Sequence, residues 1–197
     1  GKNTRMIAGK PCAAWTIEAA LRTQEIGRVA VSTDCPRLAA LAESMGVRVV
    51  DRPADLAGDA ATVDAAARHA AEQLGGDGPI ALLYANVPVR PEALIGEALR
   101  TLMDTGCDSV QSYERVGKHH PWWMARVDET TGEVRPWQGK VLNHGVYRRQ
   151  DLPPAYLPDG GVIALTRDAL MLRVDGVESG PHAFFGRDRR GVETPEG

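Results

Sequence analysis

The apolar positions of the chain alternate between two rhythms, and their order predicts its elements. In residues 10–27, Ala14, Ile17 and Leu21 recur on one helical face, with Pro11 suited to a first turn and Gly27 to the stop. Residues 28–34 (RVAVSTD) read as a short buried strand. A second helix starts near Pro36, buries Leu38, Leu41 and Met45, and ends at Gly46. A strand over residues 47–51 (VRVVD), a polar loop and an alanine-rich helix over residues 62–74 come next. The continuous apolar run at residues 79–84 (PIALLY) is of the kind covered on both faces inside parallel sheets. Pro91 opens a helix carrying Leu94, Ala98 and Leu102, and residues 108–113 (DSVQSY) leave it as a further strand. Strand-helix alternation of this kind implies right-handed crossovers onto a mostly parallel sheet with helices on both faces, a doubly wound α/β architecture. Ligands in that architecture sit at the carboxyl ends of the strands.

The rhythm breaks after Val116, where two tryptophans, a Thr-Thr-Gly turn and a proline-dense stretch intervene. Residues from about 117 to 160 read as an excursion from the main body. In it, segments 122–127 and 134–137 form a hairpin about residues 130–132, and residues 161–166 (GVIALT) bring the chain back into the sheet. No internal repeat or low-complexity tract is visible, and 197 residues suit a single domain over 1–197.

Composition narrows the function classes. A hydrophobic fraction of 43% with 25% charged residues is ordinary for a globular protein, and no segment approaches the roughly 20 apolar residues of a membrane span. The formal charge of -3 gives no broad cationic field, which argues against nucleic acid as a partner. Cys12, Cys35 and Cys107 lie far apart without a CxxC pair, so neither a disulfide framework nor a zinc ribbon is indicated and a cytoplasmic location is expected. The chain opens at Gly1 without a methionine, a signal peptide or a first strand, so a preceding segment is expected.

The loops at the strand ends carry groups suited to a polyphosphate. Lys2 and Asn3 open the chain in a polar Gly-Lys-Asn-Thr-Arg stretch, which reads either as a frayed terminus or as a phosphate contact. Arg52 follows a strand directly, and the loop to Thr62 leads into a helix whose N-terminus suits an anion. Arg52 pairing with Asp55 or Asp59, and Thr62 as a plain N-cap, are the structural alternatives. Tyr84, Asn86 and Arg90 occupy the next strand end; Asn86 equally suits a turn. Arg148, Arg149 and Gln150 precede a proline-stiffened loop that would hold them over the cleft, or else form a solvated surface. The five histidines show neither HxxxH nor HExxH spacing, and no GxSxG elbow, GxGxxG or Walker loop is present.

Taken in order, GKN, GKPCAAWTIEAAL, VSTD, RPADLAGD, LLYANVPVRP, HHP and RRQDLPPAYLPDGGVIAL resemble the acylneuraminate cytidylyltransferases over nearly the whole chain. The resemblance implies a nucleotide-diphospho-sugar transferase type of α/β fold. It implies Mg2+-dependent transfer of CMP from CTP to an eight- or nine-carbon 2-keto-3-deoxy sugar acid, pyrophosphate release, and a homodimer whose small dimerisation segment is the excursion. It implies that Lys2 and Arg52 serve catalysis, that Lys2, Asn3, Arg52, Asp59 and Thr62 bind the nucleotide, and that Arg149 and Gln150 meet the sugar; Tyr84, Asn86 and Arg90, by their place at a strand end, are the further candidates for sugar contacts. The family's N-terminal strand with its glycine- and arginine-rich loop is not among these residues. Nor is its terminal paired-aspartate motif, so the Mg2+ ligands are expected outside them. Two internal departures bear on the acceptor: Tyr84-Ala85-Asn86-Val87 stands where the family carries Gln-Pro-Thr-Ser, and Leu157-Pro158-Asp159 where it carries arginine, proline and asparagine. Loss of a cation beside an anionic sugar redirects binding by about 1–3 kcal/mol, which points to a relative of sialic acid such as Kdo or a bacterial nonulosonic acid. A nucleotidyltransferase for another sugar or nucleotide, and a noncatalytic nucleotide- or sugar-binding module, are the alternative readings.

Overall fold

A computed structural model describes residues 1–58 and 60–195. The chain opens with a 3-10 turn at Lys2–Thr4 and a small antiparallel hairpin of β1 (Met6–Ile7) and β2 (Lys10–Pro11). Helix α1 (Cys12–Arg22) then buries Ala13, Ala14, Thr16, Ile17 and Ala20. Here the structure corrects two details of the sequence reading. Pro11 precedes the helix as its N-cap, and the helix stops at Arg22, where Thr23 turns extended and caps Ala19 O with its hydroxyl at 2.9 Å. Leu21, expected on the buried face, is half exposed at 50%.

Strands β3 (Ala30–Thr33) and β4 (Arg48–Asp51) pair in parallel, in the register Ala30 to Arg48 through Thr33 to Asp51, joined by α2 (Pro36–Ser44). Ile17 of α1, Ala42 of α2 and Val47 form the apolar cluster beside this pair. Helix α3 (Val63–Leu74) starts at Thr62, whose hydroxyl accepts from Ala65 N. It leads to β5 (Ile80–Leu82), then α4 (Leu94–Thr105) and β6 (Ser109–Arg115). Gly106, in the left-handed region at φ 65°, closes α4, a conformation that costs any residue with a Cβ.

The excursion contains the expected hairpin, β7 (Ala125–Val127) against β8 (Val134–Pro136). His120 roots it: its ring is buried, with Nδ1 accepting from Trp122 N and Nε2 3.1 Å from Pro153 O. The chain returns as β9 (Tyr156–Leu165), passes the short helix α5 (Arg167–Leu170), and ends in β10 (Arg189–Glu193).

These last strands complete a four-stranded sheet in the order β10-β6-β9-β5. β10 lies parallel to β6, while β9 runs antiparallel to both β6 and β5. Three of the four strands therefore share one direction, and the fold is α/β as expected, with the returning strand reversed inside the sheet. β5 is an edge strand, half-buried along its length, where the apolar run predicted cover on both faces. β10 was not foreseen at all.

Alternation along β9 sorts the core. Val162 and Ala164 face Leu94, Ile95, Ala98, Leu99 and Leu102 of α4. Ile163 and Leu165 face the opposite way, onto Ala71 of α3, Leu170 of α5 and the pair Phe184–Phe185. Full burial of side chains of this size contributes about 1.5–3 kcal/mol each, so the two clusters fix β9 between helical layers and set the strand ends where a ligand would lie.

Candidate active site

A cleft of about 450 Å3 opens where β5 ends and α3 begins. Thr62, Val63 and Asp64 form its rim at the first turn of α3, and Tyr84, two residues beyond β5, forms one wall. Gln111 and Tyr113 reach it from β6, because residues two apart on a strand point to the same face. The aromatic pair Phe184–Phe185, with ring centroids 4.3 Å apart, makes a second wall, and Arg189 and Arg190 of β10 add cationic side chains.

The electrostatics of this cleft follow from its neighbours. Burial opposes ionisation of Asp64. Hydrogen bonds from Thr62 and Arg68, with the Arg68 charge, outweigh it and hold the carboxyl below its ordinary value. The Arg68 guanidinium lies 2.8 Å away. Burial, and secondarily the Asp64 charge, push the Tyr84 phenol up, so it stays a neutral donor at physiological pH. Arg189 is partly committed: it donates to Gly186 O and His182 O and lies 5.5 Å over the Phe185 ring. Arg190 is exposed and reaches Asp188 at 3.1 Å.

Of the residues expected from the sequence, Thr62 and Tyr84 are brought together in this cleft. Arg52 is half-buried at the end of β4 and folds back on β3, donating from Nε to Ser32 Oγ at 3.2 Å and from Nη2 to Ser32 O at 2.6 Å. Three of its five N–H groups are not used by these bonds, and among the described residues it forms no ion pair, with Asp55 or any other acid. Asp59 lies outside the described residues. Lys2 is exposed on its 3-10 turn, which packs against α1 and α2. The neighbouring Asn3 places its Oδ1 in the interior with no hydrogen-bond partner. A buried carbonyl acceptor costs about 1–3 kcal/mol when no protein group, water or ligand donates to it.

Asn86 is exposed in a turn closed by Val87 N donating to Tyr84 O at 3.2 Å. Arg90 sits behind that turn with four of its five N–H groups bound within the protein, which leaves one for any ligand. Arg149 and Gln150 occupy an exposed 3-10 turn of the excursion and are not among the cleft lining. The sequence reading passed over Asp64, Gln111, Tyr113, the aromatic pair and Arg189 with Arg190. The only sequence signal of the aromatic pair and the two arginines was the run FFGRDRR, aromatics followed by cations.

Among the described residues, no group of three His, Cys, Asp or Glu side chains could hold a metal ion. The described residues thus supply no cage of three such ligands, and Mg2+ on a nucleotide commonly keeps water and phosphate oxygens with one or two carboxylates. Among the described residues, no helix is long and apolar enough to cross a membrane.

The chain is similar to known proteins in sequence and in fold. A family model described as cytidylyltransferase matches residues 1–127. N-acylneuraminate cytidylyltransferase of Streptococcus agalactiae is 28% identical over 185 residues, covering 93% of this chain and 44% of the relative. CMP-N,N'-diacetyllegionaminic acid synthase of Legionella pneumophila is 33% identical over 142 residues, covering 69% of this chain and 60% of the relative. The chain thus spans less than half the length of the streptococcal protein. Among solved structures, CMP:2-keto-3-deoxy-manno-octonic acid synthetase complexed with CTP superposes with a TM-score of 0.69 at 19% identity, covering 98% of this chain and 83% of that one.

Proposed function

The chain belongs to the cytidylyltransferase family, and we propose that the protein transfers CMP from CTP to a sialic-acid-like 2-keto-3-deoxy sugar acid, releasing pyrophosphate. The observation that carries this reading is the cleft at the carboxyl end of β5. It combines the start of α3, the cations Arg189 and Arg190, and aromatic walls, a lining suited to an anionic sugar whose carboxylate faces the cations and whose C–H face packs on the aromatics. The names of the streptococcal and Legionella relatives support an acid of that class. The Kdo-type neighbour complexed with CTP supports the nucleotide.

The reaction is an in-line displacement. The anomeric hydroxyl of the acid attacks the α-phosphorus and gives its proton to solvent water, a new P–O bond forms, and pyrophosphate departs with the electrons of the broken P–O bond. Alignment supplies much of the acceleration, and cations neutralise charge as it develops. Arg52, with three N–H groups in reserve beside Ser32, and Lys2 are assigned to the triphosphate, Thr62 to the phosphates at the start of α3, and Asn3 to the base. The Asn3 Oδ1 lacks a protein donor, and cytosine offers its N4 amine at the ring position where uracil carries the O4 acceptor. Mg2+ is proposed as an ion carried on the triphosphate, where it neutralises charge; no residue is assigned to it. The three free thiols suit a reducing, cytoplasmic setting.

Steady-state kinetics of the full-length protein test these assignments. Arg52→Ala and Asn3→Ala each raise the CTP KM or lower kcat at least tenfold, about 1.4 kcal/mol, and Asn3→Ala also narrows the preference for CTP over UTP. Unchanged constants in both variants sink the nucleotide half of the proposal.

A further inference from the structure

We propose that Arg90 is a positioning residue for the acceptor acid: it fixes the turn at residues 84–87 so that Tyr84 stands as a wall of the cleft. This rests on the reading of that cleft as the acceptor site.

Arg90 is well placed to act through the backbone. Its Nε donates to Gly161 O at 2.6 Å, one Nη donates to Tyr84 O at 2.7 Å, and the other donates to Thr16 Oγ1 at 2.8 Å and to Val87 O. A single planar fork thus joins both ends of the turn to α1 and to β9. Thr16 reinforces it, with its hydroxyl 3.3 Å from Tyr84 O and 3.1 Å from Val87 O, and Cys12 Sγ lies 3.5 Å from Ala85 O. Burial draws the guanidinium pKa down to about 10, and the nearby Asp159 carboxylate works against that, so the group stays cationic at neutral pH. Asp159 is itself tied to Ser112, Thr194 and Gly161 N.

The turn then sets the ring. Gly160, at φ 74°, lets β9 pass under Tyr84, where a Cβ would meet Tyr84 Cδ2 at 3.3 Å. Tyr84 also packs against the cluster that contains Ile163, Phe184 and Phe185. Movement of the turn therefore changes the shape of the cleft without touching the nucleotide contacts at Arg52 and Asn3. A lysine keeps the charge but not the fork, and cannot reach three elements at once.

The test uses the full-length protein with CTP and its preferred acid. Arg90→Lys raises the acceptor KM at least tenfold and leaves the CTP KM within twofold; Tyr84→Ala does the same. The double variant is no worse than the poorer single one, because both changes remove one wall. Losses that multiply, or equal losses for CTP and acid, overturn the proposal. Amide exchange gives a readout free of turnover: Val87 N–H, bound to Tyr84 O, exchanges at least tenfold faster in Arg90→Lys while the Val110 amide of β6 is unchanged. An unchanged Val87 overturns the clamp. Where Arg90→Lys does not fold, Thr16→Val removes one tie of the same turn and shifts both readouts in the same direction. If the wild-type protein transfers CMP to no acid, the reading of the cleft fails, and exchange at Val87 still decides whether Arg90 holds the turn.

Discussion

Asp159 illustrates how one side chain carries more than its local bonds. Burial disfavours its charge, yet hydrogen bonds from Ser112, Thr194 and the Gly161 amide outweigh burial and hold its pKa below the ordinary 3.8. A carboxyl depressed in the folded state binds fewer protons there than in the unfolded chain. Its stabilising contribution is complete above the ordinary carboxylate range and is lost as pH falls through the lowered value. Thermal midpoints measured between pH 6 and pH 3 therefore fall more steeply below about pH 4 in the wild-type protein than in Asp159→Asn. Parallel profiles contradict this role. Asn3 is the converse case, a single polar atom buried without a partner. The proposed cytosine amine would supply its donor, and the Arg52 fork keeps donors in reserve beyond Ser32.

At the scale of elements, the hairpin β7–β8 and the segment after it leave Val127, Val134, Trp137, Val141, Leu142 and Tyr147 exposed. That much apolar surface on one excursion exceeds what a solvated loop needs, and we propose that it packs against a second copy. Sedimentation of the full-length protein at tens of micromolar is expected to give twice the chain mass; a single monomer boundary contradicts it. The helices and this hairpin were legible in the sequence because their signals are local. Leu38 in α2, Leu94, Ala98 and Leu102 in α4, and the Thr-Thr-Gly turn each declare themselves within a few residues, whereas Leu41 and Met45 of the expected α2 face are only half-buried and Ala42 is the buried residue there. β10 was not legible. Of its five residues only Val192 is apolar and buried, and its identity as a strand comes from pairing with β6, about eighty residues earlier in the chain. The direction of β9 is likewise a property of its partners. In the cleft, Thr62 and Tyr84 could be read from their places at a helix start and a strand end. Gln111, Tyr113, Phe184 and Phe185 come from segments that only the folded sheet brings together.

For the molecule as a whole, the account joins two half-sites. One is the polar opening turn and the ends of β3 and β4, with Lys2, Asn3 and Arg52. The other is the cleft between α3, Tyr84 and the aromatic pair, held in shape by the Arg90 fork. The first suits a nucleotide by its reserve donors and its unpaired acceptor, the second an acid by cations set among aromatic walls. A binding module would retain both halves and join nothing between them, so the decisive question is whether a bond is made. The most direct measurement is pyrophosphate release by the full-length protein with Mg2+, offered each of the four nucleotides in turn and a panel of N-acetylneuraminate, Kdo and other nonulosonic acids. The account predicts release with CTP and with one acid of the panel. Release driven by another nucleotide, or silence across the panel from a protein that still binds CTP, contradicts it.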